Sequence, residues 1–110
     1  MEVAPALEHI ASQDFECAIR RETGRVLVAC LRQDFDTLEQ EEHLKAVARK
    51  YDGQFRIWVL DAHGQDVFHV KHHIVGTPTY VLFENGVEKD RTFGKLNSQA
   101  LAEFVSRTID

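Results

Sequence analysis

Two short and almost unbroken apolar runs constrain this chain more than anything else in it. They are Arg25-Val26-Leu27-Val28-Ala29-Cys30-Leu31 and Phe55-Arg56-Ile57-Trp58-Val59-Leu60. Runs of this length, rich in Val and other β-formers, suit strands buried on both faces, which requires a sheet covered by helices on each side. The segment between them reads as one such helix. Asp36 and Glu39 have capping-box spacing, and Leu44, Val47, Ala48 and Tyr51 recur at i, i+3, i+4 and i+7 until Asp52-Gly53 ends the pattern. Leu38 is out of phase with that stripe. A strand, a helix and a second strand therefore form the heart of the fold.

The flanks extend the alternation. Leu7 to Ile10 suits a short edge strand, and Ser12 is placed to cap a helix running to about Glu22 and stopped by Gly24. Asp66 to His73 reads as a short helix closed by Gly76 and Pro78. Thr79 to Glu84 and Val87 to Phe93 are joined by Asn85-Gly86, a pair that favours positive φ and signals a tight hairpin. After Gly94, Asn97 or Ser98 can cap a last helix carrying Leu101, Phe104, Val105 and Ile109 on one stripe. The order β-α-β-α-β-α-β-β-α predicts an α/β fold with a central mixed sheet flanked by helices on both faces. With 110 residues, the chain is expected to form a single domain over residues 1–110.

Composition narrows the function. Eighteen acidic residues against 13 Lys plus Arg give a net charge of −5, which argues against a nucleic-acid backbone as partner. No apolar run approaches the ~20 residues of a membrane-spanning helix, so no membrane partner is expected. Met1 to Pro5 shows neither a basic leader nor an apolar core, so a cytoplasmic location is expected, a mature form with its signal removed being the alternative. Two cysteines, Cys17 and Cys30, are too few for a disulfide framework and match no zinc spacing.

The element order, together with Gly76-Thr77-Pro78-Thr79-Tyr80-Val81-Leu82-Phe83-Glu84-Asn85-Gly86, resembles the thioredoxin family from about Ile10 to Ile109. The most specific part is G-x-P-T-x-x-x-F-x-N-G from Gly76, supported by Gly94 after the hairpin. The resemblance implies a thioredoxin-like fold, a cis Thr77–Pro78 bond and a groove beside it for extended peptides. It also exposes a loss. The family's Cys-x-x-Cys would fall on Asp34-Phe35-Asp36-Thr37, its buried carboxylate at Ala29, the lysine paired with that carboxylate at Val59, and its helix proline near Glu41. Removal of the buried ionisable pair along with the thiols is consistent with a core no longer tuned for thiolate chemistry.

The favoured expectation is a divergent, redox-inactive member that acts as a protein- or peptide-binding module, chaperone-like or scaffold, with no cofactor and no dithiol–disulfide activity. Its partner-binding residues would be Asp34, Phe35 and Asp36 in the Asp34–Thr37 loop, and Val75, Thr77 and Pro78, where a peptide can pair with the Thr77 backbone. Two alternatives come from other classes. A thiol–disulfide oxidoreductase would use the single Cys30, although a mid-strand cysteine reads more simply as a small hydrophobe. A metal carrier would use His63, His69, His72 and His73, of which His69 and His73 share a helix face at i, i+4. A polar helix face explains the histidines without a metal. The acids from Asp34 to Glu42 are equally well explained by the positive end of a helix, and Trp58 reads as core.

Overall fold

The computed structural model describes residues 7–32, 35–51, 54–61 and 67–109. Its elements are β1 (Glu8–His9), a 3-10 turn (Ser12–Asp14), α1 (Phe15–Arg21), β2 (Arg25–Leu31), α2 (Phe35–Lys50), β3 (Arg56–Asp61), α3 (Val67–Lys71), β4 (Thr79–Glu84), β5 (Val87–Phe93) and α4 (Ser98–Ile109). The five strands form one mixed sheet in the order β1-β3-β2-β4-β5. The β1–β3 and β2–β3 pairs are parallel, whereas β2–β4 and β4–β5 are antiparallel.

The apolar runs sit where two-sided burial demands. From Val26 to Leu31 every residue of β2 is buried, and alternate side chains enter different cores. Leu27, Ala29 and Leu31 meet Ile57, Val59, Tyr80 and Leu82 beneath α2 and α4, which contribute Leu44, Val47, Leu101, Phe104 and Val105. Val26, Val28 and Cys30 meet Trp58, Leu60, Val81 and Phe83 on the opposite face, under Phe15 and Ile19 of α1 and Phe68 of α3. This alternation is the period-2 geometry of a strand with a core on each side.

Turn chemistry behaves as the sequence reading requires at the hairpin. Asn85 and Gly86 both have positive φ, 51° and 81°, as a two-residue turn matched to strand twist needs. Asn85 does more than turn the chain. Its Oδ1 accepts the Gly24 N–H at 2.8 Å and its own N–H donates to the Gly24 carbonyl at 2.9 Å, tying the hairpin to the α1–β2 connection. At the last helix it is Asn97 that caps, its Oδ1 accepting the Ala100 N–H at 2.8 Å.

Two local expectations are corrected. Ser12 does not cap its own helix: it opens a 3-10 turn without a side-chain cap, α1 begins only at Phe15, and Ser12 Oγ accepts the Phe68 N–H of α3 at 2.9 Å. The hydroxyl satisfies a long-range donor that no local pattern could announce. Asp36 is not the N-cap of α2, because the helix already includes Phe35. The end of α1 is as expected to within one residue: it stops at Arg21, before Gly24, with the Glu22 N–H closing the last turn onto the Ile19 carbonyl.

Candidate functional site

The sheet brings the end of β2, the first turns of α2 and the approach to β4 together at one edge of the core. Between them lies a cleft of about 60 Å³ lined by Leu31, Arg32, Thr37, Gln40, Thr77, Pro78 and Lys95. Its walls have clear local causes. Cys30 pairs with Thr79 at the last rung of the β2–β4 ladder, so Leu31 and Arg32 run on beside Thr77 and Pro78 with no rung between them. Thr37 Oγ1 donates to the Arg32 carbonyl and fixes the strand-to-helix turn.

The Val75–Thr79 segment is held at both ends and open in the middle. Thr79 Oγ1 donates to the Gly76 carbonyl at 2.6 Å, and the Gly94 N–H donates to the Pro78 carbonyl at 2.8 Å. Gly76 lies against the Phe93 ring so closely that a Cβ there would meet it at 3.0 Å, so a larger residue would require the ring to shift. The Thr77–Pro78 bond is cis. Neither the N–H nor the carbonyl of Thr77 has a hydrogen-bond partner among the described residues. Beside it, Val75 is 91% exposed and Phe93 58% exposed.

Behind the cleft, Gln40 is buried on α2. Its Oε1 accepts the Tyr80 hydroxyl of β4 and the Leu96 N–H, the latter at 3.2 Å. Burial pushes the Tyr80 phenol well above its ordinary value, so the group stays a neutral donor. Sequence reasoning missed Gln40, although a signal was present: position 40 continues the Leu44–Val47–Ala48–Tyr51 stripe one turn toward the N-terminus. Leu38, out of that phase, is 72% exposed.

Of the residues singled out from sequence, Val75, Thr77 and Pro78 come together at this edge of the sheet. Asp34 lies outside the described residues, as do the side chains of Phe35 and Asp36. Two cations, Arg32 and Lys95, line the cleft, with no carboxylate among its described lining residues. Ala29 and Val59 are direct neighbours across the β2–β3 ladder and both are buried. The place where the resemblance has an ionisable pair is thus an aliphatic contact, which needs no charge compensation.

Cys30 is fully buried in the middle of the sheet and Cys17 is exposed on α1. A thiol buried among aliphatic and aromatic side chains lacks the exposure that thiolate reactivity requires. His63 and the side chain of His69 lie outside the described residues. His72 turns inward, its Nε2 2.7 Å from Glu16 Oε1 and its ring packed on Phe68 at 4.5 Å. Among the described residues no group of three or more His, Cys, Asp or Glu is arranged to hold a metal, and no helix is long and apolar enough to cross a membrane. No protein-family model matches the chain, and a search of curated proteins returns no relative.

Proposed function

We propose that this chain is a thioredoxin-like domain without dithiol chemistry that binds an extended peptide, or an exposed segment of a protein, along Val75–Pro78. The observation that carries the reading is Thr77: a residue with both backbone groups unpaired among the described residues, next to a cleft and flanked by exposed Val75 and Phe93. An unpaired backbone donor and acceptor at a sheet margin offers an extended segment two hydrogen bonds, while neighbouring apolar side chains give it a surface to cover. The absence of Cys-x-x-Cys from the sequence, the buried Cys30 and the Ala29–Val59 contact all favour binding over electron transfer.

The test has two arms. A library of short random peptides is panned against the protein, and the tightest binder is titrated into isotope-labelled protein by NMR. Amide shifts concentrated at residues 75–77, Thr37 and Lys95 are expected, and Val75→Asp should abolish binding. Absence of any binder, or shifts confined to the α2–α4 groove around Ala46 and Ala102, defeats the reading. In the second arm, insulin reduction with dithiothreitol should proceed no faster with the protein than without it. Turnover lost in Cys30→Ser would replace the binding module by an oxidoreductase.

A further inference from the structure

Strand β5 contains an irregularity with a consequence for the Val75–Pro78 segment. Its register against β4 shifts between Leu82 and Phe83: Leu82 faces Asp90, but Phe83 faces Glu88, leaving Lys89 without an opposite residue. Residues three apart on a regular strand point to opposite faces; one extra residue restores them to the same face, which is how a bulge re-aims a side chain. Here it brings Glu88 and Arg91 together. Arg91 Nε and Nη2 donate to the two Glu88 carboxylate oxygens at 2.7 and 2.8 Å, a forked pair that fixes the guanidinium plane.

So oriented, Arg91 reaches the end of α3. Its Nη2 donates to the His72 carbonyl at 2.9 Å and its Nη1 points at the His73 carbonyl at 3.4 Å. Those carbonyls belong to the turn that follows the five-residue α3, where His73 has a φ of 56° and the chain leaves for Val75. From the other side, His72 is held by Glu16, which Lys71 also contacts at 3.0 Å, and its ring lies among Phe15, Phe68 and Phe83. Two residues beyond Arg91, Phe93 abuts Gly76, and the next residue, Gly94, donates to the Pro78 carbonyl. Strand β5 and the residue after it therefore touch the 72–78 segment at its beginning, middle and end.

We propose that Arg91, oriented by Glu88 across the β5 bulge, is a positioning residue that holds the Val75–Pro78 segment in its peptide-accepting conformation. The inference rests on the peptide-binding reading of that segment. Arg91 is not among the described residues that line the cleft and contacts the turn after α3, so it acts on a ligand through the segment. Freeing it lowers the fraction of molecules whose segment is correctly placed. A reduced competent fraction weakens apparent affinity by that same factor, and where segment motion is fast the loss falls on association, leaving dissociation unchanged.

The experiment uses the full chain and the panned peptide as probe. Arg91→Met is expected to slow association about tenfold with an unaltered dissociation rate. Glu88→Gln should do so to a smaller extent, and Thr92→Ala, which lies beside α4 on the other face, should have no effect. Hydrogen exchange in the free protein supplies the second measurement: the amides of His72 and Gly94, which donate to the Phe68 and Pro78 carbonyls at the two ends of the segment, should exchange faster in Arg91→Met while those of Val26 to Cys30 keep their protection. Faster dissociation with unchanged association would instead make Arg91 a direct contact and overturn the proposal. Unchanged rates and unchanged exchange overturn it as well. If the wild type captures no peptide, the binding reading falls, and the exchange measurement alone still decides whether Arg91 holds the segment.

Discussion

The two faces of the sheet solve the same covering problem differently. One is roofed by α2 and α4, of 16 and 12 residues, and its core is mainly aliphatic, from Leu27 and Leu44 to Leu101 and Val105. The other is roofed by α1 and α3, of seven and five residues. Helices that short have little stability of their own, since nucleation is not repaid within one or two turns. Aromatic rings compensate: Phe15 meets Phe68 at 4.6 Å, Phe83 at 5.3 Å and Trp58 at 6.0 Å, each in a tilted or edge-on arrangement. Large rings bury more area per residue than aliphatic chains do, so few residues can anchor a short element. Polar groups follow the same division. The long-helix face buries one satisfied neutral network at Gln40, next to the cleft. On the short-helix face the charged groups lie at the margin, in the Glu16–Lys71–His72 and Glu88–Arg91 clusters, while the buried Trp58 Nε1 has no hydrogen-bond partner among the described residues.

The largest effect expected from this contrast is at Phe15. Phe15→Ala should cost about 3–5 kcal/mol in chemical denaturation, against about 2–5 for Leu44→Ala on the other face. A loss below about 1 kcal/mol at Phe15 would mean that the rings do not hold α1 and α3 in place. Next comes the Gln40 network. Gln40→Leu strands the Tyr80 hydroxyl and the Leu96 N–H and should cost about 1–3 kcal/mol. Adding Tyr80→Phe should recover part of that loss, because one stranded donor is then gone. A double mutant less stable than Gln40→Leu alone would show that the hydroxyl has another role.

A third effect is set by pH. Burial works against ionisation of Glu16, but its bonds to His72 and Lys71 outweigh this and hold the carboxyl below the usual range. Arg91 does the same for Glu88, its hydrogen bonds outweighing the opposing burial. Both groups thus bind protons less readily folded than unfolded. Their contribution is complete above the ordinary carboxylate value of about 4.3 and is lost as pH falls through the lower folded values. Denaturation midpoints should therefore drop between about pH 5 and 3, and less steeply in Glu16→Gln and Glu88→Gln; equal slopes in variant and wild type would remove these groups from the acid response. The smallest effect is expected at Leu38, where exposure leaves little to lose. Leu38→Lys should stay within about 0.5 kcal/mol of wild type.

Much of this architecture is legible residue by residue. The bounds of β2, β4 and β5 follow from their apolar runs and the Asn85-Gly86 turn, and the α4 stripe follows from its period, because each pattern is local and repeated. The candidate site was only partly legible. Thr77 and Pro78 stand in a recognisable motif, but no local pattern marks the partners that Gln40 and Arg91 find.

Local periodicity and turn residues determined which segments are strands and helices, and the two double-sided runs determined that helices must cover both faces. Only the tertiary structure decided where single polar atoms find partners: Ser12 with Phe68, Gln40 with Tyr80 and Leu96, Arg91 with the end of α3. The physical reason is range. Backbone preference and amphipathic period are written within a few neighbouring residues, whereas these bonds join groups 19 to 56 positions apart, and the carboxylate that orients Arg91 is brought to its face by a single bulged residue.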